Sequence, residues 1–221
     1  MKQGLAVLTI LTRDISPEFL EEFILPFPQN LPAYFKRIPN RLYNLESQRT
    51  LKTCSGFLNF HKKSLLFTSP YDIEITENAI YVGNFETNHD IVLEHPSTKF
   101  NAYLPPNADV FKTLIVNFGL FIDIKKDQFM IHSPDWHFPE IDIVPGILAG
   151  TDMHQLNFFI NIKNDKKHIV IKQHDPLFLL TPLTEKEYKL NIKKYINTEH
   201  RRNFVFSKLK EYIQKTVFKK N

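Results

Sequence analysis

Cysteine is nearly missing: Cys54 is the one thiol in 221 residues. A single thiol closes no internal disulfide, which excludes the small secreted scaffolds stapled by several bridges. Lys52 alone does not create the basic, part-exposed setting that a nucleophilic thiol needs, so Cys54 reads as a buried, inert residue. Glycine is scarce too, with six in the chain. None stands in a phosphate-cradling loop or a dinucleotide fingerprint, which excludes the common nucleotide-binding α/β enzymes. No Gly-x-Ser-x-Gly elbow presents a serine nucleophile. Long hydrophobic runs are also lacking. The apolar stretch at residues 4–11 stops at Arg13-Asp14 without a small-residue cleavage pattern, and no run approaches transmembrane length. The expectation is a soluble, cytoplasmic protein without membrane contact.

What the chain has instead is phenylalanine, twenty against a single tryptophan, and fourteen prolines. Phenylalanine buries a large area without a polar tip, so an aromatic-rich core is expected. Proline takes over from glycine as the punctuation of loops. The net charge of +4 hides an asymmetry. From Thr181 onward there are 11 Lys and Arg against 4 Asp and Glu, whereas the rest carries 17 against 20. The basic character therefore belongs to the tail.

Periodicity divides the chain into residues 1–46, 47–183 and 184–221. The first part holds a strand at 4–12, a short helix opened by Ser16-Pro17, and a proline-broken wrap with one helical turn at Ala33–Arg37. In the second, residues 48–61 have helical spacing through Leu51, Cys54, Leu58 and His61. From Leu65 the period changes to two, with a hairpin turn at Glu77-Asn78 and a strand at Ile91–Glu94. Strands TLIVNF, LFIDI, QFMIHS, LNFFINI, HIVIKQ and LFLLTPL follow, with turns at Asp127 and Asn164-Asp165. Hairpin-linked strands without interleaved long helices predict a mainly β fold, an antiparallel sandwich or distorted barrel. In the third part Thr184-Glu185-Lys186-Glu187 reads as a capping box. It predicts a helix with Tyr188, Ile192, Tyr195 and Ile196 on one face, and a second helix from about Thr198.

Two clusters are candidate chemistry. His132, Asp135 and His137 lie within six residues, and Asp152 and His154 stand two apart. Alternate residues of a strand share a face, so each Asp-x-His pair could present two ligands together. Two histidines and a carboxylate on a β scaffold are the facial triad of non-haem Fe(II) oxygenases, although those usually read His-x-Asp. Without convergence, these are loop residues making ordinary hydrogen bonds, and no cofactor is the leading expectation. Asp152 and His154 are also the candidates for catalysis. In the tail, Lys193, Lys194, Arg201 and Arg202 could meet the phosphates of nucleic acid, but interleaved apolar residues fit a solvated helix face better.

The order of LPAYFKRIP, Thr53–Leu58, SPYDIEI, FMIHSP, VPGILAGTD, LNFFI and IKQHDPLFLLTPL resembles β-rich proteins of large tailed phages, marine ones especially, over roughly residues 30–183. Its later motifs are distantly similar to dUTPase-like β-clip proteins. That resemblance implies an Asp on a hairpin that holds deoxyribose and positions water, matched here by Gly146–Asp152. Ala149 stands where the first Asp of that motif would be, Asp152 is offset, and His174-Asp175-Pro176 replaces a glycine turn. The resemblance implies self-association or a phage or host protein as partner, in the host cytoplasm or the virion. The ranked expectations are a non-catalytic binding or assembly protein, a nucleotide-directed protein of dUTPase-like type, and an iron oxygenase.

Overall fold

The computed structural model describes residues 5–27, 33–42, 48–77, 79–83, 92–94, 110, 112–134, 141–150, 153–163 and 168–195. The chain opens with β1 (Ala6–Thr12) and α1 (Pro17–Glu21). Ser16 stays extended and its Oγ accepts from the Phe19 N–H, so the Ser-Pro signal does cap a helix. Next come β2 (Ile24–Pro26), α2 (Ala33–Arg37), β3 (Arg41–Leu42), β4 (Gln48–Arg49) and, after a 3-10 turn, α3 (Ser55–His61). Residues 28–32 and 43–47, which include part of the expected wrap, lie outside the described residues.

The remaining elements are strands: β5 (Leu65–Thr68), β6 (Ile73–Thr76), β7 (Ile80–Val82), β8 (Val92–Glu94), β9 (Lys112–Asp123), β10 (Phe129–His132), β11 (Ile141–Ile143), β12 (Gly146–Leu148), β13 (Met153–Ile162), β14 (His168–Ile171), β15 (Pro176–Pro182) and β16 (Tyr188–Lys194). A six-stranded sheet runs β11-β13-β9-β1-β16, with β8 also on β9. A five-stranded sheet runs β12-β10-β15-β5-β2, and β14-β6-β7 form a third. The fold is mainly β, and no sheet closes into a barrel among the described residues. Nor is any described helix long and apolar enough to cross a membrane.

Inward-facing side chains from these three sheets meet in one core. Leu114, Val116, Phe118, Leu120 and Ile122 of β9 alternate inward with Leu156, Phe158, Ile160 and Ile162 of β13. Phe178 of β15 stacks on Phe67 of β5 at 4.4 Å and touches Phe158 of the other large sheet at 4.5 Å. The phenylalanine-rich composition is thus spent on joining sheets.

Three expectations need correction. TLIVNF and LFIDI are one strand of twelve residues, because Gly119 carries the chain through with φ +66°. That φ strains any residue with a side chain, and a Cβ there would also force the Asp14 carboxylate to shift. Cys54 is exposed, not buried. The helix starts only at Ser55, so Phe57 and His61 turn inward while Leu58 remains 42 % exposed. Residues 188–194, expected as helix, are strand β16, which pairs in parallel with β1 from Ala6↔Tyr188 to Thr12↔Lys194. Thr184 does cap a backbone N–H, but it is that of Lys186, which makes a turn. The Glu187 carbonyl then accepts from Ala6 N and starts the ladder. Tyr188, Leu190 and Ile192, two apart, pack on the core. The second expected helix, from about Thr198, lies outside the described residues.

Candidate functional site

Beside β5 and β15 the end of α3 and the β15–β16 turn face each other across a cleft of about 620 Å³. Asn59, Phe60, Lys62 and Lys63 form one wall, and Pro182, Leu183, Thr184, Glu185 and Glu187 supply the other. The size suits a small ligand or a short peptide segment. Charges bridge the walls: Lys63 Nζ lies 3.2 Å from Glu185 Oε2, and Lys62 Nζ 3.9 Å from Glu187 Oε1. Phe60 and Leu183 are each 41 % exposed beside these pairs.

The turn that carries the glutamates is anchored from behind. Leu183 N donates to Gln128 O, and Lys63 Nζ donates to Thr184 O at 3.4 Å. Tyr188 Oη donates to Asp127 Oδ2 at 2.8 Å, and the Lys186 ammonium pairs with Oδ1. Lys186 first, then the Tyr188 hydroxyl, hold the Asp127 carboxyl below its usual range. Burial pushes the Tyr188 phenol up to about 12, and the Asp127 charge adds to the shift.

Under the floor of the cleft runs a polar chain. His132 Nδ1 meets Ser133 O at 2.9 Å, and a carbonyl only accepts, so this nitrogen carries a proton. In the neutral ring Nε2 then accepts from Thr181 Oγ1 at 2.9 Å, and Thr181 in turn accepts from Ser64 Oγ at 2.7 Å. Ser64 and Thr181 are buried at 2 % and 1 % exposure, which withholds both hydroxyls from attack on a dissolved substrate. The His132 ring packs 5.4 Å from Phe60 and 5.9 Å from His61. Of the sequence candidates, His132 therefore lies beside this region as a supporting group.

His154 sits half-buried on β13, in the other large sheet, with its Nε2 3.3 Å from where a Cβ on Gly150 would be. Asp135, His137 and Asp152 lie outside the described residues, as do Arg201 and Arg202. Among the described residues no three His, Cys, Asp or Glu side chains gather to hold a metal ion. Lys193 and Lys194 are exposed on β16, not on a helix. Neighbours in a strand point to opposite faces, so the two do not make one basic surface. His168 pairs with Glu74 at 2.8 Å on the exposed side of the third sheet. His174 adopts φ +70° in the β14–β15 turn and stacks on Phe23 at 4.6 Å.

The residues that build the cleft carried no motif. Lys62-Lys63 follow a short helix, and Glu185 and Glu187 resembled helix-capping chemistry. The signal available was charge complementarity between two short segments about 120 residues apart. Comparison with protein-family models, with curated proteins and with solved structures finds no match to this chain.

Proposed function

We propose that this chain is a non-catalytic binding protein whose ligand or partner occupies the cleft between α3 and the β15–β16 turn. The observation that supports this reading is the make-up of the cleft: crossed Lys–Glu pairs beside the exposed Phe60 and Leu183. A few placed charges next to apolar surface is how binding sites combine orientation with affinity. The test is a nuclear magnetic resonance screen of the full chain against charged and uncharged fragments. Hits should perturb Phe60, Lys63 and Leu183; a screen whose hits all map elsewhere overturns the proposal.

Self-association is a second reading, favoured by β12. This strand pairs with β10 on one side, and Ile147 is 61 % exposed on it. Among the described residues no strand covers its other edge, and such an edge with an apolar side chain is suited to strand pairing with another copy. Light scattering should then show an oligomer that Ile147→Lys dissociates, and a wild-type chain that stays monomeric at high concentration rejects it. Under the likeness to phage-encoded proteins, the partner in either reading is another copy of the chain or a phage or host protein.

A further inference from the structure

Within the cleft Lys63 is paired with the Glu185 carboxylate. Lys63 and Lys62 differ sharply: the first has a side chain only 16 % exposed, the second 66 %. Lys63 Nζ is fixed by Thr184 O at 3.4 Å and faces the cleft charge of Glu185 at 3.2 Å. The Glu185 side chain, by contrast, is fully exposed. A solvated carboxylate on a mobile side chain gains little from such a pair. A carboxylate brought by a ligand that also covers Phe60 and Leu183 keeps the same contact and adds apolar burial.

We infer that the cleft binds a monoanionic carboxylate joined to an apolar body, with Lys63 as its cation and Glu185 as the group it displaces. This deepens the binding role proposed above and rests on it. Lys62, Lys63, Glu185 and Glu187 make the cleft formally neutral. Once Glu185 swings out, Lys62, Lys63 and Glu187 leave a formal charge of +1, which one carboxylate neutralises and a phosphate dianion exceeds, and this selects the monoanion. Pro182 and Leu183 on one wall and Phe60 on the other receive the hydrocarbon part.

The experiment is a titration of the full chain, followed by nuclear magnetic resonance, with hexanoate, hexanol, acetate and hexyl phosphate. Hexanoate should perturb Phe60, Lys63 and Leu183. Hexanol lacks the charge and should bind about tenfold more weakly or worse, and Lys63→Met should weaken hexanoate to the same degree. Glu185→Gln should tighten hexanoate about two- to fivefold by removing the competitor. The Glu185 side chain is fully exposed, so this variant tests the idea without putting folding at stake. Hexanol or hexyl phosphate matching hexanoate, or Glu185→Gln leaving its affinity unchanged, overturns the assignment. If uncharged fragments fill the cleft and hexanoate does not, the anion preference is wrong and the binding cleft stands. If no fragment of any charge perturbs it, both fall.

Discussion

Tyr188 holds two turns together with one hydroxyl. Its single proton goes to the Asp127 carboxylate, which only accepts, so its oxygen receives the Thr184 hydroxyl at 3.2 Å. Tyr188→Phe removes both bonds and should cost about 1 kcal/mol at neutral pH by urea denaturation. The same group sets the alkaline limb. Tyr71 and Tyr188 are both raised from 10.0 to about 12, first by burial and then by Asp14 near Tyr71 and by bonding to Asp127 for Tyr188. Folding therefore favours the protonated phenols. Their contribution is full below pH 10 and is lost as pH rises towards 12. The Phe variant should show a shallower loss across that window, and an unchanged slope would contradict the assignment. At the acid end the sign is reversed. Asp72 is lowered chiefly by the Gln173 N–H, and Asp127 chiefly by Lys186. Their stabilisation is present above the ordinary aspartate pKa of about 4 and disappears as pH falls through the lower folded values. Asp72→Asn with Asp127→Asn should flatten the stability–pH curve below about pH 4, measured by thermal melts in acid.

Element by element, β16 is where local chemistry and tertiary structure part. The Thr184–Glu187 segment carries a capping signature, and the Thr184 hydroxyl does cap a backbone N–H. It closes a turn, and the Glu187 carbonyl accepts from Ala6 N across to β1. The apolar positions fit both periods, Tyr188 and Ile192 at helical spacing and Tyr188, Leu190 and Ile192 at strand spacing; only β1, some 180 residues earlier in the chain, decides between them. By contrast β5–β7, β10 and β13–β15 were legible, because each alternates or sits between turn residues, whereas β9 was legible as strand but read as two. The parallel ladder makes a pattern that helix cannot. Ala6 N bonds Glu187 O at one end and Tyr195 N bonds Thr12 O at the other. In a regular parallel ladder with this register, Lys189, Asn191 and Lys193 turn their N–H groups to β1, and Leu190 and Ile192 turn theirs to the side that no other described strand covers. Hydrogen exchange should show slow amides at 189, 191 and 193 and fast ones at 190 and 192. Uniform protection from 188 to 194 would indicate helix and refute the strand.

Across the whole molecule, the core was readable and the cleft was not, for one physical reason. A core is written as repetition: Phe, Ile and Leu return every second residue, and any strand that buries one face must show it. A cleft is written as proximity between segments that share no pattern, here 59–63 and 182–187, and proximity appears only after the sheets have packed. The neighbourhood of the cleft therefore depends on the shared core. Ser64, which leads directly into β5, is bonded to Thr181 of β15; Phe67 and Phe178 of these strands stack, and Phe178 reaches Phe158 of the opposite sheet. Phe178 is fully buried. Phe178→Ala should cost about 3–5 kcal/mol, because it loses both transfer free energy and the packing of the space left behind. If one core serves the two large sheets and the three-stranded one, the loss must appear as a single shifted transition, coincident by far-ultraviolet and near-ultraviolet circular dichroism. Ligand contacts at the cleft should weaken only as far as the folded population falls. Two separated transitions, or a cost below about 1 kcal/mol, would mean that the sheets fold as independent units and that the cleft is supported by the five-stranded sheet alone.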